Sequence, residues 1–290
     1  MMNILYVRST THHKNHNFIV NCKKIKFHII NSTNDLDNYD LSLFDAVLSP
    51  CVPIDISKYP TVKFIFGPHF SVLPDANLNI IRGKNCVYNN LSDWVIKLWS
   101  PYPLCNDIKL IALPFGVDTD LFTDIKPIDE RTNIFVYYKQ RHPDEINMLN
   151  NFLKNKDINF TFINYSIRYN EKDYINCLHN SKFGIWLGRH ESQGFALEEA
   201  LSCNIPLLVW DVKSLNQEYG YSYPDVPATA IPYWDERCGE FFHEFEDLEK
   251  TFNLFLSKLN TYKPREYILE NLSVDVCENR FIETIHNIDI

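Results

Sequence analysis

Positive charge is scarce in this sequence. Its 290 residues carry 28 Lys and Arg against 37 Asp and Glu, a net charge of −9. A general nucleic-acid binder needs a basic face to neutralise phosphates, so that class of partner is excluded. A small cationic pocket for one anionic ligand is not. Also lacking is any cysteine pair spaced C-x-x-C: Cys22, Cys51, Cys86, Cys105, Cys177, Cys203, Cys238 and Cys277 stand apart, several within apolar runs. They are expected to be reduced, mostly buried thiols, not a zinc site or a disulfide framework. No apolar run approaches the length of a membrane span, and the start, MMNILYVRSTTHHKNHN, has too short a run for a signal peptide. The expectation is a soluble, cytoplasmic protein.

What is present is material for a large core, with hydrophobic residues at 45% and aromatics at 14%. Short apolar, β-branched or aromatic runs alternate with longer helical patterns. The predicted strands are 3–7, 26–30, 46–48, 63–66, 86–88 and 109–113, then 134–138, 159–163, 183–187 and 205–209. Runs such as FIF and LLV lack polar alternation, as in parallel strands covered on both faces. Helical patterns fall at about 91–99, 143–155, 171–180, 195–203 and 240–260. This alternation predicts an α/β fold with parallel sheets. The Pro-, Asp- and Thr-rich stretch LPFGVDTDLFTDIKPIDERTN (113–133) divides the two series as a linker. Near the end, REYILENLSVDVCENRFIETIHNI reads as one amphipathic helix able to return to the first domain.

The segment GRHESQGFALEEALSCNIPLLVWD (188–211) places Glu191 and Glu199 eight positions apart, around Gly194 and an apolar turn. It parses as loop, helix, strand, with Ser192 or Gln193 as the helix cap. Backbone N–H groups at Gly194, Phe195 and Ala196 would then sit at the positive end of the helix and suit an anion such as a diphosphate. Glu191 would lie beside whatever the phosphates carry, and Glu199 within reach of a second polar group. An elongated ligand with hydroxyls at both ends and charge in the middle fits, as a nucleotide-sugar does. The bare E-x7-E spacing is more often that of a solvated surface helix carrying Glu198 and Glu199, with Glu191 in a loop. The strand, the loop and Gly194 favour the ligand.

With Ala200 and Pro206 in place as well, this stretch resembles the nucleotide-sugar motif of retaining glycosyltransferases of the GT-B fold (the group 1, or family 4-like, enzymes). LPFGVDTDLF resembles the same family's linker pattern through Pro114, Gly116, Val117, Asp118 and Phe122, and Glu218 in DVKSLNQEYG is the counterpart of a Glu often found after the next strand. The likeness runs from about 85 to 260 and is weak before that. It implies two Rossmann-like doubly wound domains facing a cleft. Residues 1–115 would be the acceptor-side domain, 116–262 the nucleotide-sugar-binding domain, and 263–290 a helix returning to the first.

The resemblance also implies roles. Lys139 and Arg141, just past the strand at 134–138, would pair with the diphosphate, although Tyr137 and Tyr138 replace the family's Gly-Arg pair there. Glu199 would bind the ribose hydroxyls, Glu191 the transferred sugar, and the amides of Phe195 and Ala196 the phosphates. His69, in FIFGPHFSVLP, would face the sugar from the first domain. The family's glycine-rich loop after the first strand is missing, and His12, His13 and His16 stand there as solvated loop residues. DTD at 118–120 has the form of a metal-binding D-x-D, but it lies inside the linker match and after no suitable strand, so no metal and no cofactor are implied. The expected function is retaining transfer of a hexose from a nucleotide-diphosphate sugar to a glycan, lipid or protein hydroxyl. A sugar-nucleotide epimerase and a non-catalytic sugar-nucleotide binder remain as alternatives.

Overall fold

The computed structural model describes residues 1–68, 71–167 and 169–290. They form two compact units, Met1–Asp118 with Leu272–Ile290, and Thr119–Asn271. In the first unit the strands are β1 (Met2–Val7), β2 (Ile25–Ile30), β3 (Ala46–Ser49), β4 (Phe64–Phe66), β5 (Cys86–Asn89) and β6 (Leu110–Ile111), with helices α1 (His13–Asn21) and α2 (Asp93–Trp99). The sheet order is β2-β1-β3-β4-β5-β6, and every pairing is parallel. AVLS, FIF and CVYN are buried along their whole length, as central parallel strands require.

The stretch expected to be a solvated histidine loop is instead the start of α1. His12 caps it, its Nδ1 accepting the Lys14 N–H at 3.3 Å, and the His16 ring stacks on buried Tyr6 with centroids 6.0 Å apart. An N-cap histidine and a second ring on the inner helix face look polar in sequence, although one of them packs.

The second unit contains β7 (Asn133–Lys139), α3 (Pro143–Asn155), β8 (Thr161–Asn164), α4 (Glu171–Asn180), β9 (Ser181–Gly188), α5 (Phe195–Ser202), β10 (Leu207–Trp210), β11 (Gly239–Phe242), α6 (Leu248–Ser257) and α7 (Pro264–Asn271). Its five strands run β11-β10-β9-β7-β8, again all parallel. The expected helix at 240–260 is therefore strand β11 followed by α6. Phe241, Phe242 and Phe245 satisfy either periodicity, and pairing of β11 with β10, from Leu207 opposite Gly239 to Trp210 opposite Phe242, decides it.

Alternation splits the central strands between two faces. Val136, Ile185, Leu187, Leu208 and Trp210 pack with Leu149 and Leu153 of α3 and Phe252 and Phe255 of α6. Opposite them, Phe135 pairs with Gly184 and Tyr137 with Trp186. A Cβ on Gly184 would lie 2.3 Å from the Phe135 ring, so only glycine admits that crossing.

The linker stretch is anchored in each unit. Phe115 packs against Phe18 and Phe281, both at 5.5 Å, and the Val117 N–H donates to Leu272 O at 2.8 Å. Beyond Asp118, Phe122 is buried and its carbonyl accepts from Ser202 Oγ at 2.5 Å and Arg265 Nη1 at 3.1 Å. The unit boundary thus falls between Asp118 and Thr119, a little past the expected 115.

The expected single helix over 263–290 is two. α7 belongs to the second unit, and α8 (Val274–His286), capped by Ser273, belongs to the first. There the buried Glu278 carboxylate accepts the N–H groups of Lys24 and Ile25 at 2.6 and 2.9 Å, and Lys63 Nζ donates to Ile285 O at 2.7 Å. Among the described residues no helix is long and apolar enough to cross a membrane.

Candidate active site

The chain enters the five-stranded sheet at β7, places β8 on one side of it, and then crosses to β9 on the other. In open α/β sheets, a ligand binds at the carboxyl ends of the strands where the order reverses, here between β7 and β9. Lys139, the last residue of β7, pairs in register with Gly188, the last of β9. Its ammonium donates to Glu191 Oε1 at 2.6 Å and lies 4.2 Å from the centroid of the exposed Tyr165 ring. Burial alone would raise the Glu191 carboxyl, but Lys139 and then Arg189 outweigh it and hold the group below its ordinary range. Glu191 is therefore ionised at neutral pH.

Arg141 does not join this group. Gln140 adopts a left-handed conformation at φ 49°, which breaks the strand alternation that would have put residues 139 and 141 on one side. The Arg141 guanidinium turns into the core, fully buried and 5.6 Å from the Trp210 ring. It donates to both carboxylate oxygens of Glu145, at 2.9 and 2.5 Å, and to Gly188 O and Trp210 O, at 3.2 and 2.7 Å. With these partners it ties the ends of β9 and β10 to the start of α3 and presents no face to a ligand.

The second cation at the strand ends is Arg189, which follows β9 and was not singled out in the sequence. Its Nε donates to Gln140 Oε1 at 3.0 Å, its Nη1 to His190 O at 2.9 Å, and Glu218 lies 3.4 Å away. Glu218 is buried, and burial raises its carboxyl against the pull of Arg189. Its other oxygen faces His190 Nε2 at 3.4 Å. Burial and Arg189 push the His190 imidazole down to about 3, so this is a polar contact with a neutral ring and not an ion pair. The tripeptide RHE (189–191) was the available signal, since it sets a basic residue two positions from Glu191 directly after a strand.

Glu191 is held from behind. Its N–H donates to Thr229 O at 3.0 Å. The 229–230 segment is in turn pinned by the buried Asp211 carboxylate, which accepts from Ala230 N at 2.6 Å and Thr229 Oγ1 at 2.8 Å. Asp211, directly after LLVW, is a further residue that the sequence reading passed over. Nothing in the sequence links it to the 229–230 segment, because that pairing spans a long loop.

Neither Ser192 nor Gln193 caps α5. The N-cap is Gly194, in the left-handed region at φ 96° and without a side-chain cap. That conformation favours glycine, and it brings the chain from Glu191 into Phe195 and Ala196 at the helix start. Six of the eight residues of α5, from Leu197 to Ser202, are buried. Glu198 is fully buried and accepts from Gln193 Nε2 at 3.0 Å, and burial raises its carboxyl far above the ordinary range. The solvated-helix reading of Glu198 and Glu199 is thereby overturned.

Glu199 is also buried. It and Glu191 both act on one phenol. Burial pushes Tyr169 up to about 12, opposed by a hydrogen bond from Tyr137 and reinforced by Glu199 and Glu191. Tyr169 belongs to an aromatic wall: its ring meets Tyr137 at 6.4 Å and Tyr174 at 5.1 Å, Tyr137 stacks on Trp186 at 3.8 Å, and Tyr174 donates to Ala196 O at 2.6 Å. His69 lies outside the described residues. Among the described residues no three His, Cys, Asp or Glu are grouped to hold a metal ion.

No family model matches the chain, and neither does any curated protein sequence. Solved structures do. Sucrose-phosphate synthase from Thermosynechococcus elongatus superposes with a TM-score of 0.58 at 8% identity, covering 99% of this chain and 98% of that one. The N-terminal domain of trehalose-6-phosphate phosphatase from Candida albicans gives 0.62 at 11% identity, with 100% and 97% covered. The lipopolysaccharide outer core galactosyltransferase WaaB gives 0.55 at 14% identity, with 98% and 99% covered. At such identities the likeness concerns the architecture. The chain has the GT-B fold, an α/β arrangement of two Rossmann-like domains with parallel sheets of six and five strands.

Proposed function

We propose that the protein is a glycosyltransferase that moves a hexose from a nucleotide-diphosphate sugar to an acceptor hydroxyl with retention at the anomeric carbon. The observation that carries this reading is the convergence of Lys139, Arg189, Glu191 and the start of α5 on the switch point between β7 and β9. The names of two structures sharing the fold, a sucrose-phosphate synthase and a galactosyltransferase, support it.

In this account Lys139 and Arg189 face the diphosphate, and the amides of Phe195 and Ala196 complete its cradle. Glu199 binds the ribose hydroxyls beside the aromatic wall. Glu191 stays ionised, orients the Lys139 ammonium and accepts from the transferred sugar. As the glycosidic bond to phosphate breaks, negative charge builds on the leaving oxygen, and the fixed cations and helix amides stabilise it. That oxygen then takes the acceptor hydroxyl's proton, so no separate base is required.

The reading requires no metal, and EDTA is expected to leave turnover unchanged. The test is incubation of UDP-, GDP- and ADP-hexoses with panels of oligosaccharide, lipid and protein acceptors, followed by analysis of products. Release of nucleoside diphosphate with formation of a glycoside, abolished in Lys139→Ala, is the expected result. An epimerised donor, or an intact donor under all conditions, would overturn it.

A further inference from the structure

Immediately after Glu218 the chain carries three tyrosines in five residues, YGYSY at 219–223. Tyr219 and Tyr221 are 50% and 54% exposed, whereas Tyr223 is half-buried. Tyrosine rings, apolar on the face and polar at the rim, are enriched at interaction surfaces. They are also held in place. The Tyr219 N–H donates to Gln140 O at 2.8 Å, and its ring meets His142 edge to face at 5.1 Å. The Tyr221 ring lies parallel to Tyr223, 7° apart in plane with centroids at 5.5 Å, and Tyr223 meets His190 edge-on at 5.8 Å. A line of rings thus runs from His190, beside Arg189 and Glu218, out to solvent. Gly220, at the tip, has open space where a side chain would be.

The chemistry of the turn narrows its partner. YGYSYPDV, residues 219–226, contains no lysine or arginine, and its one acid, Asp225, accepts from Ser214 Oγ at 2.7 Å. The turn itself offers a phosphate-bearing ligand no lysine or arginine. The rings are phenols, flat and apolar on the face and hydrogen-bonding at the rim, and between and after them along the turn stand Gly220 and Ser222, which offer a lipid tail no apolar side chain. A sugar ring presents the complement, C–H groups on one face and hydroxyls around the edge.

We propose that Tyr219 and Tyr221 form a subsite for a neutral saccharide that extends away from the strand-end site, so that the acceptor is a glycan. This rests on the glycosyl-transfer reading above, and its test is separable from it. Wild-type protein, Tyr219→Ala/Tyr221→Ala and Tyr219→Phe/Tyr221→Phe are applied to an array of neutral oligosaccharides and to vesicles of phosphatidylcholine with phosphatidylglycerol. Binding of UDP-, GDP- and ADP-glucose to each is measured by calorimetry. The expected result is saccharide binding that falls about tenfold or more in the alanine variant, a loss of at least about 1.4 kcal/mol, and is largely kept in the phenylalanine variant. Donor binding should be the same in all three proteins. Failure of wild type to bind any saccharide, equal binding by the alanine variant, or a loss confined to vesicles would overturn the subsite. A wild type that binds saccharide through these rings but no sugar nucleotide would overturn the transferase reading alone.

Discussion

Lys139 and Arg141 stand two apart in one basic stretch, yet the fold gives them opposite jobs. Lys139 ends its strand at the switch point between β7 and β9, paired with Glu191, while Arg141 is buried 5.6 Å from the Trp210 ring. Replacing Lys139 with Met should weaken sugar-nucleotide binding roughly ten- to a hundredfold, the range for losing a hydrogen bond to a charged group, as read by calorimetry. Arg141→Met should instead destabilise the fold by about 1–3 kcal/mol in urea unfolding, because it leaves the carbonyls of Gly188 and Trp210 without their donor. Donor affinity of its folded fraction should stay at the wild-type level. The family resemblance pointed to Lys139 and Arg141 alike, and the left-handed turn at Gln140 that diverts Arg141 has no reliable sequence mark, since Gln is an ordinary residue in an unusual conformation.

His190 adds a pH dependence of definite sign. Unfolded, it takes up a proton near pH 6.5; folded, not until about pH 3. Over that window the unfolded state binds more protons, so stability falls as pH falls, by about 1.4 kcal/mol per unit from this residue. Glu218, raised by burial, works in the opposite sense, and Glu191, held low, contributes only below its ordinary value. Comparing wild type with His190→Gln between pH 4.5 and 6.5 isolates the histidine. The variant should lose less stability across that interval, and parallel curves would contradict the assignment.

At the scale of elements, α5 and the loop before it form one device. Glu191 is fixed through Thr229 to Asp211, and Gly194 turns the chain into the helix. Gly194→Ala would put a Cβ 3.5 Å from Glu191 Cβ, an ordinary contact, so its cost is backbone strain of about 1–2 kcal/mol. Donor binding should weaken as the helix start shifts, which titration of the variant would show. Asp211→Asn should lower turnover more than donor affinity if it acts only by positioning Glu191. The position of α5 after a strand was legible from residues 183–211, because strand and helix periodicities succeed one another cleanly. The identity of its buried face was not. Glu198 and Glu199 look solvated by composition, and only packing on both sides of the helix shows otherwise. β11 escaped for a related reason: its phenylalanines suit both periods, and its pairing partner is distant in sequence.

For the whole molecule, the two parallel sheets could be read from unbroken apolar runs and their alternation with helices, and the superposed structures show the same architecture. The division of the C-terminal helices between units was hidden. Val117 and Leu272 join in one unit, so α8 leaves α7 at a short break that an amphipathic pattern runs straight through. The central claim is that the second unit holds a sugar nucleotide where β7 and β9 diverge. Calorimetric titration of UDP-, GDP- and ADP-glucose into wild type, Lys139→Met and Arg189→Met tests it most directly. The account predicts that one of the three donors binds wild type and that each substitution weakens it about tenfold or more. Absence of binding by all three, or binding by both variants as tight as wild type, would contradict it.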